Sequence, residues 1–504
     1  MTDSVFAQPV EPLMPRQRNL VLTLAIVIAA TRFLAVSHSM WDWDEALFAS
    51  ALQHYDVAQH HPHPPGFPLF FALAKIVRFI VHDDFHALRA VSVFASLFVF
   101  PAFFALARSL RFRFRTCAVG ATLFCFLPNV WYWGGTGFTD ELALVTALAG
   151  AALLLRDDQR PRSYIGGCLF FAATMLVRAQ NVLLLWPWIE ASWRRIRAKR
   201  TWEVVTGTAL IVVLVVIGYG IAAKLTGFAE FISVTKEHQH YIATVDGALN
   251  PRRIPMANLL QDFLFDPFES RAASTALFGF ALLSFARPRR AHAVILLTFL
   301  PNFFLAWFLL SPTGISRLSL GYIAFDVLLA ADGMDVVASF LASRARTVSR
   351  EQIVAALQML FAAVVVGRYV FWVWPGLEEI RLRDSPPVQA MEWIRQHVPR
   401  GATIQVSSGL GPFAAYFLPD YKIVPEHAKT RGREGLAATA VNPLDRPSGP
   451  AGDTACIVTD RIDPSPQAVT FERPRQHLWA LFNRRYFEAS VLPRESHGGS
   501  RLSE

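Results

Sequence analysis

Charge is scarce in this 504-residue chain: Asp, Glu, Lys and Arg together make up 17%, where a soluble domain carries about 25%. That excludes an ordinary water-soluble enzyme. Cysteine is scarcer still. The four, Cys117, Cys125, Cys168 and Cys456, show neither metal-ligand spacing nor a disulfide framework, and the first three lie in apolar runs. No small-residue cleavage site follows the first long apolar run, Leu20–Val36, which leads straight into Trp41–Glu45. It reads as a membrane helix and not as a removed signal peptide. No internal repeat is visible, although transporters often carry one. What is abundant excludes disorder: 53% of the residues are hydrophobic and 41 are Phe. The net charge of +9 does not point to nucleic acid, because Arg and Lys fall in short clusters between apolar runs.

Those clusters predict a topology. A bilayer core needs about 20 apolar residues per helix. Runs at 19–37, 87–107, 116–132, 139–155, 163–178, 181–193, 203–223, 271–286, 291–310, 315–335 and 352–374 give about eleven transmembrane helices. Arg108–Arg115, Arg156–Arg162, Arg194–Arg200, Arg287–Arg290 and Arg344–Arg350 follow alternate spans, and Arg16 and Arg18 precede the first. All fall on one side if the N-terminus is cytoplasmic. Residues 1–18 are then a cytoplasmic tail and 19–374 the membrane domain. Outer loops span 38–86 and 224–270, and residues 375–504 form a C-terminal domain outside. The setting expected is a bacterial inner membrane. The tail is rich in Pro and charge, with a helix at Ala390–His397 and strands at Thr403–Ser407 and Ala455–Thr459. It reads as a small periplasmic α/β domain, with Pro493–Glu504 disordered.

The first outer loop carries the densest chemistry. Asp42, Asp44 and Glu45 fall within four residues directly after a membrane helix. Carboxylates are costly beside hydrocarbon, and when crowded they raise each other's pKa or demand a cation. Asp44 also suits the N-cap of a helix over Ala46–Tyr55. Then comes His60-His61-Pro62-His63-Pro64-Pro65-Gly66-Phe67-Pro68, a stretch stiffened by four prolines. An interfacial helix from Leu69 follows. The histidines suit a metal, a phosphate contact or plain solvation.

With Asp44-Glu45, His63-Pro64-Pro65 and Gly137-Phe138-Thr139-Asp140-Glu141, the chain resembles the GT-C membrane glycosyltransferases. The nearest branch is that of protein O-mannosyltransferases, aminoarabinose transferases and lipopolysaccharide-core galacturonosyltransferases. The match covers roughly residues 20–375, and the motifs are specific to the superfamily and not to a substrate. The resemblance implies an α-helical polytopic fold and an inverting transfer on the non-cytoplasmic face. The donor is a polyprenyl-monophosphate sugar and the acceptor a hydroxyl of a lipid, glycan or protein, with membrane lipids as further partners and no nucleic acid. It implies a catalytic base at Asp44, aided by Glu45. Asp42 competes, because Asp42-Trp43-Asp44 also matches an Asp-x-Asp pattern of some GT-C enzymes. Asp140, Glu141 and His63 are expected to bind substrate. A divalent metal remains open as cofactor, with no ligand set assigned.

Chemistry adds two residues. Phosphate already carries the leaving charge, so the enzyme needs a base, worth on the order of 10² to 10⁴ in rate, and cations for the departing lipid phosphate. Arg178 and Arg317 lie at outer helix ends against the positive-inside trend, and Arg suits bidentate phosphate contact. Either also suits snorkelling to headgroups or pairing with Asp140 or Glu141. A transporter or flippase of lipid-linked substrates, or a non-catalytic membrane scaffold, is the alternative reading.

Overall fold

The computed structural model describes residues 12–156, 160–246, 250, 255–265, 270–309, 315–343, 349–425, 454–474 and 487–494. Two helices frame the first acidic motif: α1 (Pro15–Arg32) and α2 (Trp43–Gln53). Asp42, not Asp44, is the N-cap of α2. Its side chain accepts from Asp44 N at 2.9 Å, while Glu45 reaches back to Asp42 N at 3.1 Å. This capping box leaves the Asp44 side chain free for other partners. The helix expected from Leu69 is α3 (Pro68–Val81), opened by a proline at its first position. Its Ile76, Phe79 and Ile80 are exposed.

The run expected at 87–107 is two helices, α4 (Asp84–Ser96) and α5 (Val99–Ser109). Pro101 has no N–H to continue the ladder, so the chain relaxes at Leu97–Phe98. Pro128 divides the next run in the same way, into α6 (Phe114–Cys125) and α7 (Pro128–Trp133). Helices α8 (Asp140–Leu155) and α9 (Pro161–Val177) pack side by side. The break expected between 178 and 181 is present: Arg178 is extended, a 3₁₀ turn covers Ala179–Leu184, and α10 (Trp186–Arg197) follows.

Beyond it, α11 (Thr201–Thr226) runs into α12 (Phe228–Tyr241) across Gly227. The described residues of 224–270, expected as an outer loop, are largely helical, with α13 (Met256–Phe265). Helices α14 (Arg271–Ser284), α15 (Arg290–Leu309), α16 (Ile315–Leu318), α17 (Ala324–Ala342) and α18 (Arg350–Leu382) complete the membrane part. The last of these continues past residue 374, the boundary expected for the membrane domain. Among the described residues five helical segments are long and apolar enough to cross a membrane: Pro15–Ala35, Asp84–Ser109, Thr201–Thr226, Arg290–Phe308 and Glu351–His397.

The tail holds α19 (Pro386–His397), β1 (Thr403–Val406), α20 (Gly411–Phe417), β2 (Lys422–Pro425), β3 (Thr454–Thr459), β4 (Val469–Glu472) and β5 (Glu488–Pro493). The sheet order is β2-β1-β3-β5-β4. β1 runs parallel to β2 and β3, and β5 antiparallel to β3 and β4. The expected small α/β unit is therefore present. Pro493, where the expected disordered end begins, closes β5, and residues 495–504 lie outside the described ones. One hydrophobic core runs from the membrane helices into this sheet, through Ile404, Val406, Leu410 and Phe413. The tail also grips the chain around α2. Ser385 Oγ donates to Met40 O, Trp41 and Phe487 rings meet at 5.7 Å, and Tyr416 donates to Asp84, which also binds Gln53 at the end of α2.

Candidate active site

Four charged side chains converge where α2, α8, the end of α9 and α16 meet. Arg317 Nη1 lies 2.7 Å from Asp44 Oδ2, and its Nε 4.0 Å from Asp140 Oδ2. Arg178 Nη2 donates to the same Asp140 oxygen at 2.7 Å, and its Nε donates to Thr139 Oγ1 at 3.2 Å. Arg317 Nε is buried with no hydrogen-bond partner among the described residues. The two guanidinium groups lie over aromatic rings: Arg317 on Phe138 at 4.6 Å and Arg178 near Phe67 at 6.0 Å. The pairing with Asp140 expected as an alternative to phosphate binding is made, closely by Arg178 and at 4.0 Å by Arg317, whose nearer partner is Asp44; Glu141 pairs with neither arginine among the described residues.

The pairs sit at the end of a cavity between α8, α15 and the Ala179–Leu184 turn. It is lined by Asp140, Arg178, Gln180, Asn181, Asn302 and Arg317 together with apolar side chains such as Leu144, Leu148, Leu184, Phe299 and Ala306. A small cavity where guanidinium groups meet apolar side chains is a place where an anionic group on an apolar stem can be met.

Asp44 is largely buried. Burial alone would raise its carboxyl, but His63, Arg317 and Arg178 outweigh it and hold the group below the ordinary carboxylate range. It is an anion at neutral pH. His63 Nδ1 stands 3.7 Å from Asp44 Oδ1, and the ring stacks on Phe48 at 5.4 Å. Burial pushes the His63 imidazole down to about 3, against the pull of Asp44. The Pro-rich turn sets this ring. His61–Pro62 and Pro64–Pro65 are cis, and Gly66 has φ 100°. Tyr55 Oη donates to Gly66 O at 2.8 Å, and a Cβ on Gly66 would lie 2.3 Å from that hydroxyl.

Glu45 and Glu141 turn elsewhere. Glu45 is fully buried and accepts from three backbone N–H groups: Trp41 at 2.7 Å, Asp42 at 3.1 Å and Gly137 at 2.8 Å. Burial raises its carboxyl to about 7 despite those donors. It ties the start of α2 to the turn that precedes α8, and so fixes Asp44 relative to Asp140. Glu141 is also fully buried, does not line the cavity, and neither of its carboxylate oxygens has a hydrogen-bond partner among the described residues. Asp42 stays at the cap. Of the eight expected site residues, Asp44, His63, Asp140, Arg178 and Arg317 are therefore brought together.

In the sequence His238 stands out only as one of the mixed polar and aromatic residues of 224–270, which suit either a lid over an acceptor or a solvated loop; its ring meets His63 at 5.9 Å. Sequence reasoning did not single out Thr139 or Asn181. Among the described residues no three His, Cys, Asp or Glu side chains converge closely enough to hold a metal ion.

No family model and no curated protein matches the chain. Solved structures do. The chain superposes on ArnT from Cupriavidus metallidurans bound to undecaprenyl phosphate with a TM-score of 0.59 at 12% identity, covering 97% of this chain and 100% of that one. It also matches the archaeal oligosaccharyltransferase AglB from Archaeoglobus fulgidus, in complex with an inhibitory peptide and a dolichol-phosphate. There the TM-score is 0.51 at 11% identity over 81% of this chain, which spans 65% of that protein. A third likeness is the mycobacterial arabinofuranosyltransferase AftD, with a TM-score of 0.50 at 14% identity, over 97% of this chain and 40% of that one. The chain has the GT-C fold, that of an integral membrane protein with a small sheet domain at its C-terminus.

Proposed function

We propose that the chain is an inverting glycosyltransferase that takes a sugar from a polyprenyl-monophosphate carrier. It passes the sugar to a hydroxyl of a lipid, glycan or protein acceptor on the non-cytoplasmic face, with Asp44 as base. The observation that carries this reading is Arg317. Its guanidinium bonds Asp44, reaches towards Asp140 and keeps one buried N–H without a hydrogen-bond partner among the described residues, and it lines a cavity with Arg178. The likeness to structures described as bound to undecaprenyl phosphate and dolichol-phosphate supports a lipid-linked phosphate donor in general.

The chemistry follows from charge. In the free chain two arginines balance two aspartates. An arriving phosphodiester competes with Asp44 and Asp140 for the guanidinium groups, which suit bidentate phosphate contact. As Arg317 turns to phosphate, Asp44 loses its counter-charge and becomes a stronger base. It takes the acceptor's proton while the acceptor oxygen bonds the anomeric carbon. The bond from that carbon to the phosphate oxygen breaks, and its electron pair stays on the phosphate, now steadied by Arg317 and Arg178. Displacement of this kind passes through an oxocarbenium-like state, and it inverts the anomeric centre.

Undecaprenyl phosphate titrated onto the full-length protein in lipid nanodiscs tests the donor half. Saturable binding that weakens at least tenfold in Arg178→Gln supports the reading. Binding that is absent, or indifferent to that substitution, contradicts it.

A further inference from the structure

Three imidazoles gather on the Oδ1 side of Asp44. His63 Nδ1 is 3.7 Å from that oxygen, beyond hydrogen-bond reach. The His63 ring meets His238 with centroids 5.9 Å apart, and His238 meets His60 at 6.4 Å. Nδ1 of His63 and Nδ1 of His60 are both buried with no hydrogen-bond partner among the described residues. Such atoms are rare in folded proteins and call for a ligand or water. None of the three rings lines the cavity that Arg178 and Arg317 line. The two oxygens of Asp44 thus face different surroundings. Oδ2 is held by Arg317; Oδ1 faces imidazole.

We infer that this histidine face receives the acceptor: its hydroxyl lies against Asp44 Oδ1 and His63 Nδ1, and His238 and His60 line its approach, while the donor phosphate keeps to the arginine side. The inference rests on the glycosyl-transfer reading and names the part of the site that reading leaves open.

The ligand class follows from protonation. His63 faces Asp44, His238, Arg317 and Arg178; His238 faces His60 and Asp44; His60 faces Asp44 and Glu237. Burial dominates all three, taking His63 to about 3 and His238 to about 4 and lowering His60. At neutral pH each ring is uncharged, with one donor and one acceptor nitrogen. That suits an alcohol, which also donates once and accepts. It does not suit a phosphate or carboxylate, which needs cations. The hydroxyl gives its proton to Oδ1 as its oxygen bonds the sugar, and Asp44 later returns that proton to water on the outer side. His238 stands on α12, in the outer segment, and His60 and His63 on the Pro-rich turn. The acceptor therefore enters between two outer pieces of the chain.

The test is carbethoxylation of neutral histidines by diethyl pyrocarbonate on the full-length protein in nanodiscs, read by peptide mass spectrometry. Undecaprenyl phosphate is the probe for the donor side. Saturating undecaprenyl phosphate is expected to leave His63 and His238 reactivity within twofold. Tenfold protection of either would place the lipid phosphate on the histidine face and overturn the inference alone. Loss of undecaprenyl phosphate binding altogether would overturn the glycosyl-transfer reading and this inference with it. In a second measurement, His63→Asn and His238→Asn are produced in the native membrane, where donor and acceptor are both supplied. Each is expected to keep its undecaprenyl phosphate Kd within twofold of wild type, which also reports a folded chain, and to lower the glycosylated envelope product at least tenfold. An unchanged product, or a Kd weakened tenfold, would overturn the inference.

Discussion

Asp44 Oδ2 and Arg317 Nη1 meet at 2.7 Å although 273 residues separate them in the chain. The pair joins the base and the phosphate ligand of the proposed reaction in one ion pair, so that a single arginine serves two partners in turn. Arg317→Gln is expected to weaken undecaprenyl phosphate binding at least tenfold and to cut sugar transfer by about 10² or more, the scale of one lost charge-stabilising group. Calorimetry and transfer assays on the same preparation check this. Equal affinity in Arg317→Gln and wild type would remove Arg317 from the phosphate site.

Glu45 gives a pH signature. Its carboxyl is raised to about 7, mainly by burial, so the folded chain prefers the neutral form. An acid whose pKa rises on folding contributes stability fully below its unfolded value of about 4.5. That contribution erodes as pH climbs and is gone above about 7, with a slope of at most about 1.4 kcal/mol per unit. Melting temperatures of the detergent-solubilised protein should fall between pH 5 and 7 for this reason. In Glu45→Gln an amide nitrogen must face a backbone N–H at Gly137 or at Trp41 and Asp42. That variant should melt lower at every pH by an amount matching about 1–3 kcal/mol, with a flatter profile over the same range. Parallel profiles would contradict the assignment.

Asp140 and Arg178 form a buried pair at 2.7 Å. Asp140→Asn leaves the Arg178 guanidinium buried and uncompensated, a loss on the order of 3–5 kcal/mol. Asp140→Asn with Arg178→Gln removes both charges and should recover part of that loss. Thermal melting of the two single variants and the double variant checks it; strictly additive losses would contradict the coupling.

Much of this site was legible because it opposes its surroundings. Asp44, Asp140, Arg178 and Arg317 are charges at the ends of apolar runs, and charge there is expensive enough to need a purpose. Which acid meets which arginine was not legible. Arg178 and Asp140 lie 38 residues apart and Arg317 and Asp44 273, and only the crossing of α8, α9 and α16 decides the partners. The capping role of Asp42 was within reach, since Asp42-x-x-Glu45 is a capping-box spacing; the adjacent Asp44 masked it. The kinks at Leu97–Phe98 and Leu127 were likewise written in Pro101 and Pro128. Nothing local to α12 marks His238, because its partners come from the turn at 60–63. In the tail, helix and strand periods sufficed for α19, β1 and β3, while β2, β4 and β5 are too short or too irregular in pattern to stand out.

The most direct measurement is sugar transfer by Asp44→Asn, assayed with a panel of radiolabelled polyprenyl-phosphoryl sugars, alongside its affinity for undecaprenyl phosphate. Asparagine cannot take the proton, and it no longer holds Arg317 by charge. Transfer should therefore fall by about 10² to 10⁴, while undecaprenyl phosphate binds as tightly as to wild type or tighter. Transfer within a few-fold of wild type would contradict the account.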